Sequence, residues 1–363
     1  LIEKRDGTIK ARHCANGSIQ QSWISSESAA SPTVYTESVL LQATIFAQER
    51  RDVMVTDVPN AFMQTEVSER DANGNRMTMK IRGILVDILC NMDPSYTEYV
   101  VIERGEKVLY THILKAIYGL LVSAILFYKK FRASIEKEGF VVNPYDPCVA
   151  NKTVHGSQMS ILWHVDNVNS SHKNKKLNDS FQGWLLKEYG EIGEVKCSRG
   201  TRHDYLGMTL DFSEKGALKV DMIDYVTKMT TEFPQERMKG PKVANPASEN
   251  LFKVNEKSPK LHQEDSELFH STTLKGLFLA KRGRPDVLQP IAYLCTRTKE
   301  PTQQDMDKLT RVLKFLAQTV EDRLTLSADG TGIIIWGVDV GNFEDYDSYD
   351  VDNVQRSEEE GGG

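Results

Sequence analysis

The sequence predicts an α+β protein that divides into two or three domains or subdomains. Its 363 residues are 40% hydrophobic and 26% charged, which is enough apolar content to bury a sizeable core. Some segments carry apolar residues at helical spacing, and others are short β-prone runs bounded by turn residues. Both patterns occur along the chain and no internal repeat is visible, so we expect mixed helices and sheets.

Two predicted strands each lead to an aspartate. Residues 53–56 form the β-prone run Val-Met-Val-Thr, which Asp57 closes. Residues 159–165 form a second strand, and Asp166 and Asn167 are typical of a two-residue hairpin turn. The sequence therefore predicts Asp57 at a strand end and Asp166 at a hairpin tip.

The other elements follow from apolar spacing and turn residues. The segment 113–138 has apolar residues on nearly every helical face, which predicts a long and mostly buried helix. A polar, proline-containing stretch at 240–260 is typical of a linker. The remaining predictions are a hairpin over 205–220, helices at 221–233, 271–281 and 305–319, and a strand at 332–338.

Cysteine and charge content exclude few functions. Five cysteines are scattered without a Cys-x-x-Cys pair, which argues against a disulfide framework and a zinc site. The formal net charge is -6, but residues 341–363 alone carry -7, so the rest of the chain carries +1. That acidic segment lacks the apolar residues needed to fold, and we expect a disordered tail. Overall charge therefore neither favours nor excludes nucleic-acid binding.

No membrane span or secretory signal is expected. No run reaches the roughly 20 uncharged apolar residues that a span requires. The chain begins without an apolar leader or a cleavage pattern. Together with the cysteine pattern, this predicts an intracellular protein that is not secreted.

The two aspartates suggest metal-dependent phosphoryl transfer. Side-by-side carboxylates bind Mg²⁺ ions, which prefer oxygen ligands. Two such ions activate an attacking 3′-hydroxyl and stabilise the leaving pyrophosphate, so the protein supplies geometry more than an acid or a base. The competing interpretation is structural, in which Asp57 caps a helix that begins near Pro59 and Asp166 fills a turn. Spacing alone favours the structural interpretation.

Five short motifs follow one another in a recognisable order. They are Asp-Val-Pro-Asn-Ala-Phe at 57–62, Lys-Ala-Ile-Tyr-Gly-Leu at 115–120, Tyr-Asp-Pro-Cys-Val at 145–149, His-Val-Asp-Asn at 164–167 and Tyr-Leu-Gly at 205–207. Together they resemble the reverse-transcriptase region of copia-type LTR retrotransposon Gag-Pol polyproteins. In that family the first motif holds a catalytic aspartate, and the fourth is the Tyr-Val-Asp-Asp hairpin.

The resemblance implies a right-hand polymerase that copies RNA into DNA with two Mg²⁺ ions, or with Mn²⁺ in their place. Its partners would be an RNA template, a DNA primer and deoxynucleoside triphosphates. The protein would act in a cytoplasmic virus-like particle or in the nucleus and would not bind a membrane. The resemblance implies no particular oligomeric state. The implied domains are part of the fingers (1–50), the palm (51–215) with a fingers insertion at about 67–115, the thumb and linker (216–260), a connection segment with a truncated RNase H start (261–340), and the acidic tail (341–363).

The resemblance also implies roles for individual residues. Asp57, Asp166 and Asn167 would be the catalytic residues, and Asp57 and Asp166 would bind the metal ions. Lys10 and Arg12 would lie near the incoming triphosphate, where contacts between opposite charges are strong. Phe62 would crowd the sugar 2′ position and favour deoxynucleotides. The alternatives are a solvated basic strand for Lys10 and Arg12, and a core phenylalanine for Phe62.

The sequence departs from the family at three places. The second aspartate of the catalytic hairpin is Asn167, whose amide oxygen lacks the charge of a good Mg²⁺ ligand. Val122 replaces a glutamine that would support the nucleotide. Asp339 resembles the first RNase H carboxylate but has no partners, so no RNase H activity is expected.

These departures support a second interpretation, a catalytically dead retrotransposon relic that binds nucleic acid without copying it. A third interpretation, an interaction protein that acts through the acidic tail, rests on charge composition alone.

Overall fold

The computed structural model describes residues 2–3, 9–10, 14–68, 70 and 74–331, with side chains described from residue 14 onward. The chain separates into two compact units, Leu1–Ala328 and Asp329–Gly363. The second unit is described at residues 329–331, where the Thr331 N–H donates to the Asp329 carboxylate at 2.9 Å. The predicted strand at 332–338, Asp339 and the acidic segment lie outside the described residues.

The first unit mixes helices and sheets. Its strands are β1 (Ile2–Glu3), β2 (Ile9–Lys10), β3 (Asp52–Asp57), β4 (Thr78–Arg82), β5 (Val101–Glu103), β6 (Glu106–His112), β7 (Val141–Val142), β8 (Val149–Val154), β9 (Ser157–His164), β10 (Asn167–His172), β11 (Lys196–Arg199), β12 (Arg202–Tyr205), β13 (Met208–Asp211), β14 (Ala217–Asp221) and β15 (Leu324–Ser327). Its α-helices are α1 (Ser26–Ala29), α2 (Thr36–Glu49), α3 (Ile84–Met92), α4 (Ser123–Lys137), α5 (Lys175–Tyr189), α6 (Ile223–Glu232), α7 (Gln263–Ala280), α8 (Leu288–Thr296) and α9 (Gln303–Gln318). Short 3-10 helices lie at Gly17–Ser22, Ala61–Gln64, Pro94–Tyr99 and Pro285–Val287.

A six-stranded antiparallel sheet forms the centre of the first unit, in the order β11-β3-β10-β9-β8-β7. The four middle residues of β3 are all buried, as expected for a strand that is covered on both faces. The predicted strands at 53–56 and 159–165 are β3 and β9, so both predictions are confirmed.

Helices α4 and α5 pack against one face of this central sheet. The Phe131 ring of α4 lies 5.4 Å from the Trp163 ring of β9. Asn178 of α5 is fully buried and donates to the Asp52 carboxylate at 2.9 Å, while it accepts from the Ser170 hydroxyl at 2.7 Å. These hydrogen bonds hold α5 over β3 and β10, because a buried amide group without hydrogen-bond partners would destabilise the fold.

The helix predicted at 113–138 is shorter than expected, because α4 begins at Ser123. The ten preceding residues form backbone hydrogen bonds with other segments; the Ala116 N–H, for example, donates to the Thr65 carbonyl at 2.9 Å. Gly119 has a φ of +92°, which a continuous α-helix does not allow. The apolar spacing predicted a helix, but hydrogen bonds to other segments hold this stretch in a non-helical conformation.

A second antiparallel sheet runs in the order β12-β13-β14-β15. The single hairpin predicted over 205–220 is two hairpins, because Leu206 and Gly207 form a turn with φ of +52° and +79° between β12 and β13. The predicted helices at 221–233, 271–281 and 305–319 are α6, α7 and α9, and α7 begins earlier than expected. The linker predicted at 240–260 has neither helix nor strand.

Helix α3 covers one face of a small three-stranded sheet in the order β4-β6-β5. Ile81, Val86 and Leu109 form one cluster of buried apolar residues between these two layers. Among the helices that the structure describes, none is both long enough and apolar enough for a membrane crossing.

Candidate active site

Asp57 and Asn167 lie directly opposite each other at one end of the central sheet. They are Cα partners in the antiparallel pairing of β3 with β10. The Val58 N–H donates to the Asp166 carbonyl at 2.9 Å. Because hydrogen-bonded and non-hydrogen-bonded pairs alternate in such a ladder, Asp57 and Asn167 form a non-hydrogen-bonded pair, whose Cα atoms lie about 4.5 Å apart. The sheet thus brings both predicted catalytic segments together.

The hairpin turn is one residue earlier than predicted. β9 ends at His164, which pairs with Asn167, so Val165 and Asp166 form the turn and Asn167 begins β10. Val165 has a φ of +56°, which is rare for a β-branched residue and costs about 1–3 kcal/mol. Asp166 fills a turn, as the structural interpretation requires, and it also adjoins the end of β3.

The helix predicted after Pro59 is a single 3-10 turn, Ala61–Gln64, whose N-cap residue is Asn60. Asp57 is therefore not the N-cap residue of a helix. Asp57 is exposed at the end of β3, whereas Asp166 and Asn167 are half-buried.

Two residues that sequence reasoning missed complete the row across the sheet end. Lys196 of β11 is the Cα partner of Asp57 on the side opposite to Asn167. His164 of β9 is the Cα partner of Asn167. Directly opposed residues project from the same face of a sheet, so the row is Lys196, Asp57, Asn167 and His164. Sequence alone carried no signal for Lys196, since it lies far along the chain and enters through strand pairing.

Phe62 is half-buried beside this sheet end. Its ring meets the edge of the Tyr118 ring, with 4.8 Å between ring centroids. The 3-10 turn is held by Gln64, whose side chain donates to the Tyr189 carbonyl at 2.9 Å, and by Lys130, which donates to the Gln64 carbonyl at 2.6 Å. Phe62 is therefore held by its neighbours but retains exposed surface.

The Tyr-Gly-Leu motif at 118–120 joins the N-terminal segment closely. The Ala15 N–H donates to the Tyr118 carbonyl at 2.8 Å. A Cβ atom on Gly119 would lie 1.9 Å from the Ala15 carbonyl oxygen, so only glycine fits there. Val122 follows at the N-cap of α4 and is 3% exposed, so its side chain belongs to the core.

The structure does not place every predicted residue. Arg12 lies outside the described residues, and of Lys10 only the backbone, in β2, is described. Their predicted contact with a triphosphate therefore remains a prediction.

The donor atoms at the sheet end fit a hard divalent cation in type. Asp57 and Asp166 offer carboxylate oxygens and Asn167 offers an amide oxygen, which are the ligands that Mg²⁺ prefers. The described residues contain no group of three or more His, Cys, Asp or Glu side chains arranged for a metal ion. The site therefore has two carboxylates, whereas the same site with aspartate at position 167 would have three.

Comparison with known proteins relates this chain to the proteins of retrotransposons. No protein-family model matches the chain. It is 24% identical over 204 residues to a transposon Ty5-1 protein of Saccharomyces cerevisiae, and the aligned region spans 56% of this chain and 63% of that protein. It is 21% identical over 332 residues to the transposon Ty1-ER2 Gag-Pol polyprotein of the same yeast, and the aligned region spans 88% of this chain and 17% of the polyprotein.

The homologues of this chain are thus Ty1 and Ty5 transposon proteins, and the predicted resemblance to a copia-type Gag-Pol polyprotein is confirmed. Among solved structures, the chain is similar to a telomerase from Candida albicans in complex with the TWJ fragment of telomeric RNA. That match has 11% identity and a TM-score of 0.29, and it covers 84% of this chain and 52% of the telomerase.

Proposed function

We propose that this chain is the reverse-transcriptase region of a copia-type retrotransposon polyprotein and catalyses RNA-directed DNA synthesis. The observation that carries the proposal is the pairing of β3 with β10, which brings Asp57 beside Asn167 and Asp166. The similarity to Ty1 and Ty5 transposon proteins supports it.

The proposed architecture is a right hand. The central sheet with α4 and α5 would be the palm, because it carries the carboxylates at one end. Residues 1–50 and the small sheet with α3 would form the fingers, and residues 216–260, which include β14 and α6, would form the thumb and linker. Helices α7 to α9 would then belong to the connection segment.

The proposed chemistry uses the residues at the sheet end. Asp57 and Asp166 would hold two Mg²⁺ ions, which when bound would activate the primer 3′-hydroxyl and stabilise the leaving pyrophosphate. The half-buried ring of Phe62, fixed against Tyr118, would pack against the sugar and disfavour a 2′-hydroxyl. Lys10 and Arg12 would contact the triphosphate.

The second candidate function is nucleic-acid binding without catalysis. Two features favour it. Asn167 removes one negative charge from the donor set, and Lys196 adds a positive charge directly opposite Asp57. A cation beside a carboxylate weakens the attraction of that carboxylate for a metal ion.

Primer extension distinguishes the two functions. The purified chain would be incubated with a DNA primer on an RNA template, deoxynucleoside triphosphates and either Mg²⁺ or Mn²⁺. Extension that disappears in Asp57→Ala but persists in Asp224→Ala, an exposed aspartate of α6, supports a polymerase. Equal template-primer binding by all three proteins with no extension by any would support the binding function instead.

A further inference from the structure

Helix α3 carries apolar residues on sides that do not pack against the small sheet. Seven of its nine residues are apolar, but Val86 is the fully buried one. A helix that is apolar all round is normally covered on all sides. Its exposed large residues are Ile84 at 70%, Leu85 at 46%, Ile88 at 46% and Met92 at 79%.

These four residues form one continuous stripe, here called the α3 stripe. Ile84, Ile88 and Met92 are spaced by four residues, which stacks them along one side of a helix, and Leu85 lies beside Ile88, three residues further on. The stripe is roughly 100° wide at 3.6 residues per turn. Val86 points away from it toward the sheet residues Ile81 and Leu109.

The α3 stripe carries no charge of its own. The nearest acidic side chain on the helix, Asp87, is paired with Lys107 of β6 at 2.6 Å. A partner selected by charge would find neither a free anion nor a free cation along the stripe. The complementary surface must itself be apolar.

We infer that the α3 stripe is the contact through which two copies of this chain associate. An uncharged apolar stripe is complementary to itself, which is what a twofold interface requires. With two α3 helices antiparallel about an axis near Ile88, Ile84 would meet Met92 of the partner subunit.

The exposed area is sufficient for such an interface. The 3-10 helix after α3 adds Tyr96 at 36% and Tyr99 at 62% exposed. These two residues and the stripe expose on the order of 700 Å², close to the roughly 800 Å² that each partner buries in a stable complex. An apolar patch of this size is larger than solubility alone tolerates on a monomer.

Sedimentation equilibrium of the full chain tests the inference. We expect a mass of twice 41.0 kDa at micromolar concentration. Ile88→Asp should shift the dissociation constant by at least a hundredfold, because it buries an unpaired carboxylate in both copies. Met92→Ser, at the most exposed position, should weaken association by about tenfold and covers the case in which Ile88→Asp does not fold.

The matched control is Leu274→Asp, which alters a similarly exposed leucine on α7. It should leave the mass unchanged. A parent chain that stays at 41.0 kDa over the whole concentration range overturns the inference, as does a dimer that both α3 variants leave intact or that Leu274→Asp also dissociates.

Discussion

At the scale of single residues, Asn167 has the largest consequence for the proposed chemistry. It lies opposite Asp57 and next to Asp166, at the position where the resembling family has a second aspartate. An amide oxygen is a neutral ligand, so the proposed site would hold Mg²⁺ more weakly than a site with three carboxylates. Lys196, the Cα partner of Asp57 on its other side, would weaken metal binding further.

Asn167→Asp is therefore expected to raise the rate of single-nucleotide incorporation roughly tenfold, because a third carboxylate strengthens ion binding. Rapid-quench primer extension at fixed Mg²⁺ measures it. Asn174→Asp, at the N-cap of α5, adds the same charge elsewhere and keeps a capping residue. An equal rise in both variants would mean that the effect is not local to the sheet end.

Arg284 has a structural role. It is 2% exposed, donates to the Asp286 carboxylate at 2.7 Å and donates to the Thr319 carbonyl at 2.8 Å. Lysine cannot reproduce this planar fork of donors.

Arg284→Lys is expected to lower the free energy of unfolding by about 3 kcal/mol, because a single buried ammonium cannot reproduce the bonds of the buried guanidinium to both the Asp286 carboxylate and the Thr319 carbonyl. Urea denaturation measures it. Arg202→Lys, whose side chain is 54% exposed, should change stability by less than about 0.5 kcal/mol. Equal stability of Arg284→Lys and the parent would show that the fork is not needed.

At the scale of elements, Asp221 joins β14, α6 and the segment before β15. Its carboxylate accepts from the Ile223 N–H at 3.0 Å and from the Arg323 guanidinium at 3.1 Å. Burial raises the pKa of Asp221, but the Ile223 N–H, Arg323 and Arg202 together lower it by more, so its pKa lies below the ordinary value of 3.8.

A lowered pKa in the folded state makes Asp221 stabilising above pH 3.8, and that stability is lost as the pH falls through the folded pKa. Asp221→Asn should therefore cost about 1–2 kcal/mol at pH 7 and progressively less below pH 4. Urea denaturation over this pH range measures the difference. Glu321→Gln, which is 75% exposed beside Arg323, should be nearly neutral throughout. A cost that does not change with pH would contradict the ionic origin.

Helix α9 holds the linker at 240–260 along one side. Arg311 donates to the Asn245 carbonyl at 3.1 Å, and Lys314 donates to the Lys239 carbonyl at 2.5 Å. Side chains at this spacing lie on one stripe of the helix, which explains how a segment without helix or strand keeps a defined path.

The double variant Arg311→Ala and Lys314→Ala should increase the rate of proteolytic cleavage within 240–260 by about fivefold, because the linker opens locally without unfolding of the unit. Limited proteolysis with mass spectrometry measures it. Asp307→Ala, elsewhere on α9, serves as the control. Unchanged cleavage in the double variant would mean that other contacts hold the linker.

Local pattern predicted the elements whose own residues determine them. β3 and β9 are strands because they combine β-prone residues with bounding turns, and α6 ends before Pro234 as proline requires. The hairpin turn was misplaced by one residue because Val165 adopts a positive φ that its side chain disfavours. Residues 113–122 carry apolar side chains at helical spacing, but backbone hydrogen bonds to distant segments, such as that of Ala116 to Thr65, fix their conformation. Apolar spacing cannot indicate such bonds.

At the scale of the whole molecule, the candidate site was predictable in part. Asp57 and Asp166 were chosen from motifs, and their adjacency follows from a strand pairing between segments more than a hundred residues apart. Lys196 joins the row through a second long-range pairing, that of β11 with β3, and the contact of Phe62 with Tyr118 also joins distant segments, whereas His164 faces Asn167 across a local hairpin. Local sequence does not encode which distant segments become neighbours, so Lys196 and the Phe62–Tyr118 contact appear only in the folded chain.

We propose that Asp57 and Asp166 form a polymerase site that Asn167 weakens. The decisive measurement is template-specified incorporation of one deoxynucleotide by Asn167→Asp, compared with the same variant carrying Asp166→Ala. We expect the first protein to incorporate the nucleotide that pairs with the template and the second protein to incorporate none. Normal binding of template and primer by both proteins, without incorporation by either, would show that Asp57 and Asp166 do not form such a site.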